Sequence, residues 1–245
     1  MDASDDPVRA GMQSRRLEVK GRRAHYFKTG SGPAVVLAHG GASDARDWLD
    51  FMSAFKDRFT FYAPDLIGFG ESERDEKGYY LPDFRDFLLD FMDALQIQNP
   101  VLIGHSLGGR VCLDAAGARP EQIKKLVLID STGLGKISPL GRALFSGFAL
   151  LRTMTGKTQP FPRFLAREGD DYNYAGTPAL QNLKVPTLLI WKGFDPYMPL
   201  AGARRAEKLI PGARLEIIPG YGHAPFKQKD NSRFNRILLD FLDRD

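Results

Sequence analysis

The sequence predicts a doubly wound α/β domain built on a mostly parallel, eight-stranded sheet. Three observations carry that prediction. Short runs such as "PAVVLA", "VLIG", "LVLI" and "TLLIW" are almost entirely apolar, as strands buried on both faces are. Segments with apolar residues at helical spacing alternate with them. The two earliest strand-like runs instead alternate polar and apolar positions, which makes an antiparallel hairpin at the start of the sheet.

Taken in order, residues 1–16 are polar with no apolar core, so they predict a loose tail and not a secretory signal. "LEVKG" and "AHYFKTG" form the hairpin, and "PAVVLAHGG" is the first strand buried on both faces. Trp48, Phe51, Met52 and Phe55 then mark a helix, with Asp44 as its N-cap. "FTFYAPD" (59–65) is the next strand, and Phe84, Phe87, Leu88, Phe91 and Leu95 define an amphipathic helix. "VLIGHS" runs as a strand into a helix over 107–118. "KKLVLIDST", 186–193 and 214–220 supply the later strands, with a helix over 200–210 between the last two. Phe234, Ile237, Leu238, Phe241 and Leu242 share one face of a closing helix.

This reading gives a core of residues 17–132 and 183–245, interrupted by 133–182. The interruption has no buried-strand signal. It holds Phe145, Phe148, Phe161, Phe164, Tyr172 and Tyr174 among Pro, Gly and basic residues. It leaves at the end of one parallel strand and returns at the start of the next, so it sits over the sheet edge where ligands bind. A short cap or lid fits that placement, and so does a plain structural excursion.

Composition narrows the function classes. The 245 residues carry a formal net charge of +4 without any Lys/Arg-rich run, which argues against a nucleic-acid partner. Cys112 is the single cysteine, so no intramolecular disulfide forms. No apolar stretch nears the roughly 20 residues of a membrane span. A soluble, cytoplasmic protein acting on a small molecule is expected.

"GHSLGG" (104–109) is a G-x-S-x-G pattern between a buried strand and a helix. A serine on so tight a turn projects its hydroxyl above the sheet, and side chains at 104 and 108 would collide there. The helix start also aims N–H groups at the same point. A serine nucleophile needs a base and an orienting acid. His223 lies in a Gly-rich loop before the last helix, and Asp195 lies in a Gly/Pro loop just past a strand. Asp130 also ends a parallel strand and is the alternative acid. His25, His39 and His105, the other histidines, sit on the hairpin, at a strand end and inside the turn. An oxyanion would be met by the backbone N–H groups of Leu107 and Gly41, with Ala42 in reserve.

"HGG" (39–41), "DLIGFGES" (65–72), "GHSLGG" (104–109), "WKGFD" (191–195) and "GHAPF" (222–226) stand in one order along nearly the whole chain from residue 17. In that order the chain resembles the serine hydrolases of the α/β-hydrolase fold, where the 133–182 segment is the variable cap. Gly193 lies two places after Trp191, where the family usually has glycine directly after the tryptophan. The common Glu/Pro pair after the histidine is absent. The resemblance implies Ser106, Asp195 and His223 as a catalytic triad, with no cofactor and no metal. Serine at 106 sets the chain apart from the epoxide hydrolases and haloalkane dehalogenases, which carry aspartate there. His105 and Ala224 stand where C–C bond hydrolases of ring-fission products tend to have Asn and Trp. Hydrolysis of a carboxylic ester with an apolar group is therefore the expected activity. C–C bond hydrolysis and a hydrolase-like small-molecule receptor are the alternatives.

Overall fold

Eight strands form one sheet in the computed structural model, which describes residues 11–41, 43–75, 78–154 and 175–244. They are β1 (Gln13–Val19), β2 (Arg22–Thr29), β3 (Ala34–Ala38), β4 (Thr60–Pro64), β5 (Val101–His105), β6 (Lys125–Ile129), β7 (Thr187–Phe194) and β8 (Arg214–Tyr221). Their order across the sheet is β1-β2-β4-β3-β5-β6-β7-β8. Only the β1/β2 and β2/β4 junctions are antiparallel; the rest are parallel. The expected mixed sheet is therefore present. The hairpin turn is Lys20–Gly21, both at positive φ, as a two-residue turn that matches strand twist requires. β1 begins at Gln13, inside the stretch expected as tail, and residues 1–10 lie outside the described residues.

Buried strands read as unbroken apolar runs because successive side chains feed opposite layers. Val36 and Leu102 join the layer beneath α2 (Leu81–Ala94) and α3 (Leu107–Ala118), whereas Val35, Leu37 and Ile103 face α1 (Leu49–Phe55). In α2, Phe84, Phe87, Leu88 and Phe91 are all but fully buried, each contributing about 1.5–3 kcal/mol of transfer free energy. Asp44 caps the 3-10 turn Ala45–Trp48 that runs into α1, its carboxylate accepting from Arg46 N–H at 2.9 Å.

The chain leaves β6 through α4 (Pro139–Met154) and returns through α5 (Thr177–Gln181) to β7. Residues 155–174 of the expected 133–182 insertion lie outside the described residues. Its two ends meet: Ala175 N–H donates to Gly133 O at 2.7 Å. Leu140, Leu144 and Met154 of α4 are exposed. α6 (Leu200–Leu209) and α7 (Ser232–Asp243) complete the two layers. No helix among the described residues is long and apolar enough to cross a membrane.

The strand order reverses between β3 and β5: β4 lies to one side of this pair and β6 to the other. Such a switch point opens a crevice at the carboxyl ends of the strands. "HGG" follows β3 and Ser106 follows β5, so both motifs stand at that crevice.

Candidate active site

Ser106 is the single residue between β5 and α3, with φ 52° and ψ −115°. A non-glycine residue in such a conformation costs on the order of 1–3 kcal/mol and persists only where its surroundings enforce it. The surroundings here are backbone. Ser106 N–H donates to Ile129 O at 2.9 Å, and Ser106 O accepts from Thr132 N–H at 3.1 Å. A Cβ on Gly104 would lie 2.3 Å from Gly108 O, and one on Gly108 would lie 2.3 Å from Ala38 O. Strand and helix therefore approach as closely as the glycines suggested.

His223 Nδ1–H donates to Asp195 Oδ2 at 2.6 Å. Asp195 follows β7, and its Oδ1 accepts from Tyr197 N–H at 2.8 Å and Met198 N–H at 3.0 Å. Trp191 Nε1–H holds the same loop through Met198 O at 2.9 Å. Residues on either side of His223 seat it. Phe226, in the short 3-10 turn Pro225–Lys227, stacks on Trp48 with centroids 4.3 Å apart. Gly220 and Gly222, both at positive φ, turn the chain from β8 into this loop. The loop docks beside the serine, because His105 Nε2–H donates to His223 O at 2.5 Å. The Ser106 hydroxyl makes no hydrogen bond to the His223 ring in this structure, a contact that commonly tightens only with substrate bound.

Gly41 and Leu107, the expected oxyanion donors, are adjacent. A Cβ on Gly41 would lie 3.4 Å from Leu107 Cδ2. Leu107 is the first residue of α3, where N–H groups have no intrahelical acceptor. Ala42, the reserve donor, lies outside the described residues.

Asp130 is placed differently from Asp195. It is fully buried at φ 41°, its Oδ1 accepts from Lys192 N–H at 2.9 Å, and its Oδ2 has no partner. Burial, followed by the nearby Asp195 charge, pushes its carboxyl well above the usual range, so it favours the neutral form. His105 is also buried, and that burial pushes it well below its ordinary value. As a neutral ring it donates through Nε2 and leaves Nδ1 bare. Among the described residues, His105, Asp130 and His223 offer one ligand atom each within 4.8 Å of one another. The same His223 ring already serves Asp195, and His105 Nε2 is committed to His223 O.

The sequence reading passed over Asp65 as a site residue. It is buried beside the "HGG" loop, and His39 Nε2 there accepts from Leu66 N–H at 3.0 Å. "DLIGFGES" was the available signal, but its contacts join residues twenty to forty positions apart.

Residues 35–236 match the family model described as the alpha/beta hydrolase family. The chain belongs to this family. Among similar proteins is an uncharacterised protein of Mycobacterium tuberculosis, 28% identical over 92% of this chain and 80% of its own. A carboxylesterase from Bacillus subtilis superposes with a TM-score of 0.79 at 20% identity, covering 96% of this chain and 93% of its own. A meta-cleavage product hydrolase from Pseudomonas fluorescens superposes at 0.78 and 23% identity, covering 94% and 97%. At such identities these two likenesses establish a shared fold. Within the alpha/beta hydrolase, the arrangement of Ser106, His223 and Asp195 is what bears on the chemistry.

Proposed function

We propose that this alpha/beta hydrolase cleaves a carboxylic ester through a covalent acyl-enzyme on Ser106. His223 Nε2 takes the hydroxyl proton as Ser106 Oγ bonds to the acyl carbon, and gives it to the departing alkoxide as the ester C–O bond breaks. Water then attacks the acyl carbon as the same histidine takes its proton. The bond to Ser106 Oγ breaks, Oγ regaining a proton from His223 as the carboxylic acid leaves. Asp195 holds the Nδ1–H tautomer that keeps Nε2 free to accept. Leu107 and Gly41 N–H groups receive the oxyanion at each addition step.

The observation that supports this reading most is the 2.6 Å His223–Asp195 pair docked beside a serine on a strained strand-to-helix turn. Asp195, not Asp130, is the acid in this reading, because Asp195 is the carboxylate bonded to the ring. The insertion acts as the cap, and its aromatic residues favour an apolar acyl or alcohol group. No metal or cofactor takes part, and the single buried cysteine suits a reducing, cytoplasmic setting.

Ser106→Ala tests the proposal. Turnover of a short p-nitrophenyl ester is expected to fall by about 10³–10⁶ with the fold intact. Near wild-type activity in that variant would sink the mechanism. A panel of esters, thioesters, lactones and one ring-fission diketone separates ester from C–C bond hydrolysis. A single slow burst in place of many turnovers would mark a receptor.

A further inference from the structure

Asp65 lies directly after β4 with its carboxylate buried, and none of its hydrogen bonds reach the triad. Oδ1 accepts from Ala45 N–H at 2.8 Å. Oδ2 accepts from Glu71 N–H and from His25 Nδ1–H, both at 2.8 Å. Ser14 Oγ–H donates to His25 Nε2 at 2.8 Å, which fixes the tautomer that serves Asp65. Gly70, at φ +50°, passes where a Cβ would sit 2.1 Å from Asp65 Oδ2. Burial alone would raise this carboxyl, but the bonds from His25, Glu71 and Ala45 outweigh it and hold the group below its ordinary value.

Ala45 is the far end of the segment that carries Gly41. The near end is held where Gly108 N–H donates to His39 O at 3.1 Å. Ser43 N–H turns the segment by donating to Gly40 O at 3.2 Å. An oxyanion donor is effective only when its direction is fixed before reaction. A loop anchored at one end swings; one anchored at both ends does not.

From these contacts we propose that Asp65 is a positioning residue for catalysis, its carboxylate clamping Ala45 so that Gly41 N–H stays aimed at the oxyanion. The proposal rests on the ester-hydrolase reading of the triad.

Two full-length variants test it from opposite sides of one hydrogen bond. Asp65→Asn puts an amide NH₂ where a carboxylate oxygen met donors. Ala45→Pro removes the N–H itself. Proline's fixed φ suits the first position of a helical turn, and Asp44 before it is already extended at φ −147° and ψ −174°. The proline Cδ takes the place of the hydrogen that met Asp65 Oδ1 and so also displaces the carboxylate from the loop. The second variant therefore keeps the question open to measurement if the first does not fold. For each, kcat and KM with a p-nitrophenyl ester are measured beside the Ki of a trifluoromethyl ketone, whose serine adduct carries the oxyanion. Expected is a fall in kcat of about 10², the size of losing one oxyanion donor, with KM little changed and Ki raised in step. Ser72→Ala is the control. It removes the hydroxyl that donates to Asp65 O at 2.7 Å and accepts from His25 N–H, leaving the carboxylate in place. Its kcat and Ki are expected to match wild type. A folded Asp65→Asn or Ala45→Pro with wild-type kcat and Ki overturns the proposal, and so does a Ser72→Ala that loses both equally. Absence of wild-type turnover on every ester defeats the ester reading and this inference with it. Wild-type turnover with unaffected variants defeats this inference alone.

Discussion

Asp195→Asn is nearly isosteric, yet its consequence can be worked from the hydrogen bonds. Oδ1 accepts from two backbone N–H groups, Tyr197 and Met198, so the amide oxygen of an asparagine must take that position. The amide nitrogen then faces His223 Nδ1 across the 2.6 Å gap now filled by Oδ2. As a donor it can meet only a bare Nδ1, which moves the ring proton to Nε2. A ring protonated at Nε2 cannot take the Ser106 proton. Reversal of the tautomer in such a triad costs about 10⁴ in kcat, or roughly 5 kcal/mol in the barrier. Asp130→Asn is expected to do far less, because this carboxyl accepts a backbone N–H from Lys192 and makes no hydrogen bond to His223, and an asparagine oxygen can keep the one bond it has. The assay is kcat and kcat/KM for a p-nitrophenyl ester in both variants, with thermal melts to confirm folding. An Asp195→Asn enzyme close to wild type, or one that outperforms Asp130→Asn, refutes the assignment of the acid.

Gly104→Ala places a Cβ 2.3 Å from Gly108 O, where only backbone can move aside, so a loss of about 1–3 kcal/mol is expected. Thermal denaturation reads it as about 2–4 °C per kcal/mol. Burial holds His39 and His105 below their ordinary 6.5, so the unfolded chain takes up protons that the folded chain refuses. Stability from both is fully present above 6.5 and is lost as pH falls through the folded values, which urea titrations across that range will show. Asp130 has the opposite sign. The native state keeps a proton that the unfolded chain releases near 3.8, so its contribution is present at lower pH and lost as pH rises through the folded value. The melting temperature of Asp130→Asn should therefore gain on wild type as pH rises. Exhaustive chelation with EDTA is expected to leave ester hydrolysis intact; loss and rescue by a divalent ion would count against the mechanism.

Strand order aside, most of the fold was legible because buried parallel strands and amphipathic helices leave strong periodic signals. The start of β1 was not, since Gln13–Arg16 are exposed on an edge strand and carry no apolar alternation. α5 is five residues long, too short for a helical period to stand out. At the candidate site, Ser106, Asp195 and His223 stood out because each lies in a loop at a strand end, and glycine or proline marks such loops. Whether Asp130 or Asp195 faced the histidine depended on side-chain direction, which spacing does not encode. Asp65 belongs to a motif visible in the sequence, yet nothing in that motif tells its task. Its partners Ala45, Glu71 and His25 sit on three separate segments, and only the folded chain brings them to one carboxylate.

The closure of Gly133 on Ala175 has a consequence for how such a protein diversifies. Ala175 N–H on Gly133 O closes the point where the insertion leaves and rejoins the core, but Leu134 and Ile137 are buried in that core and Gly135 packs against Gly202, so any exchanged segment has to keep this root. Ser138 adds a further constraint on any graft. Ser138 N–H and Oγ–H donate to Tyr197 O and Pro196 O, in the loop that bears Asp195. A transplanted segment that keeps Ser138 keeps this support of the Asp195 loop, and one that discards it has to rebuild it. On the proposed reading of the insertion as a cap, exchanging it would change substrate preference while leaving the Asp195–His223 pair in place.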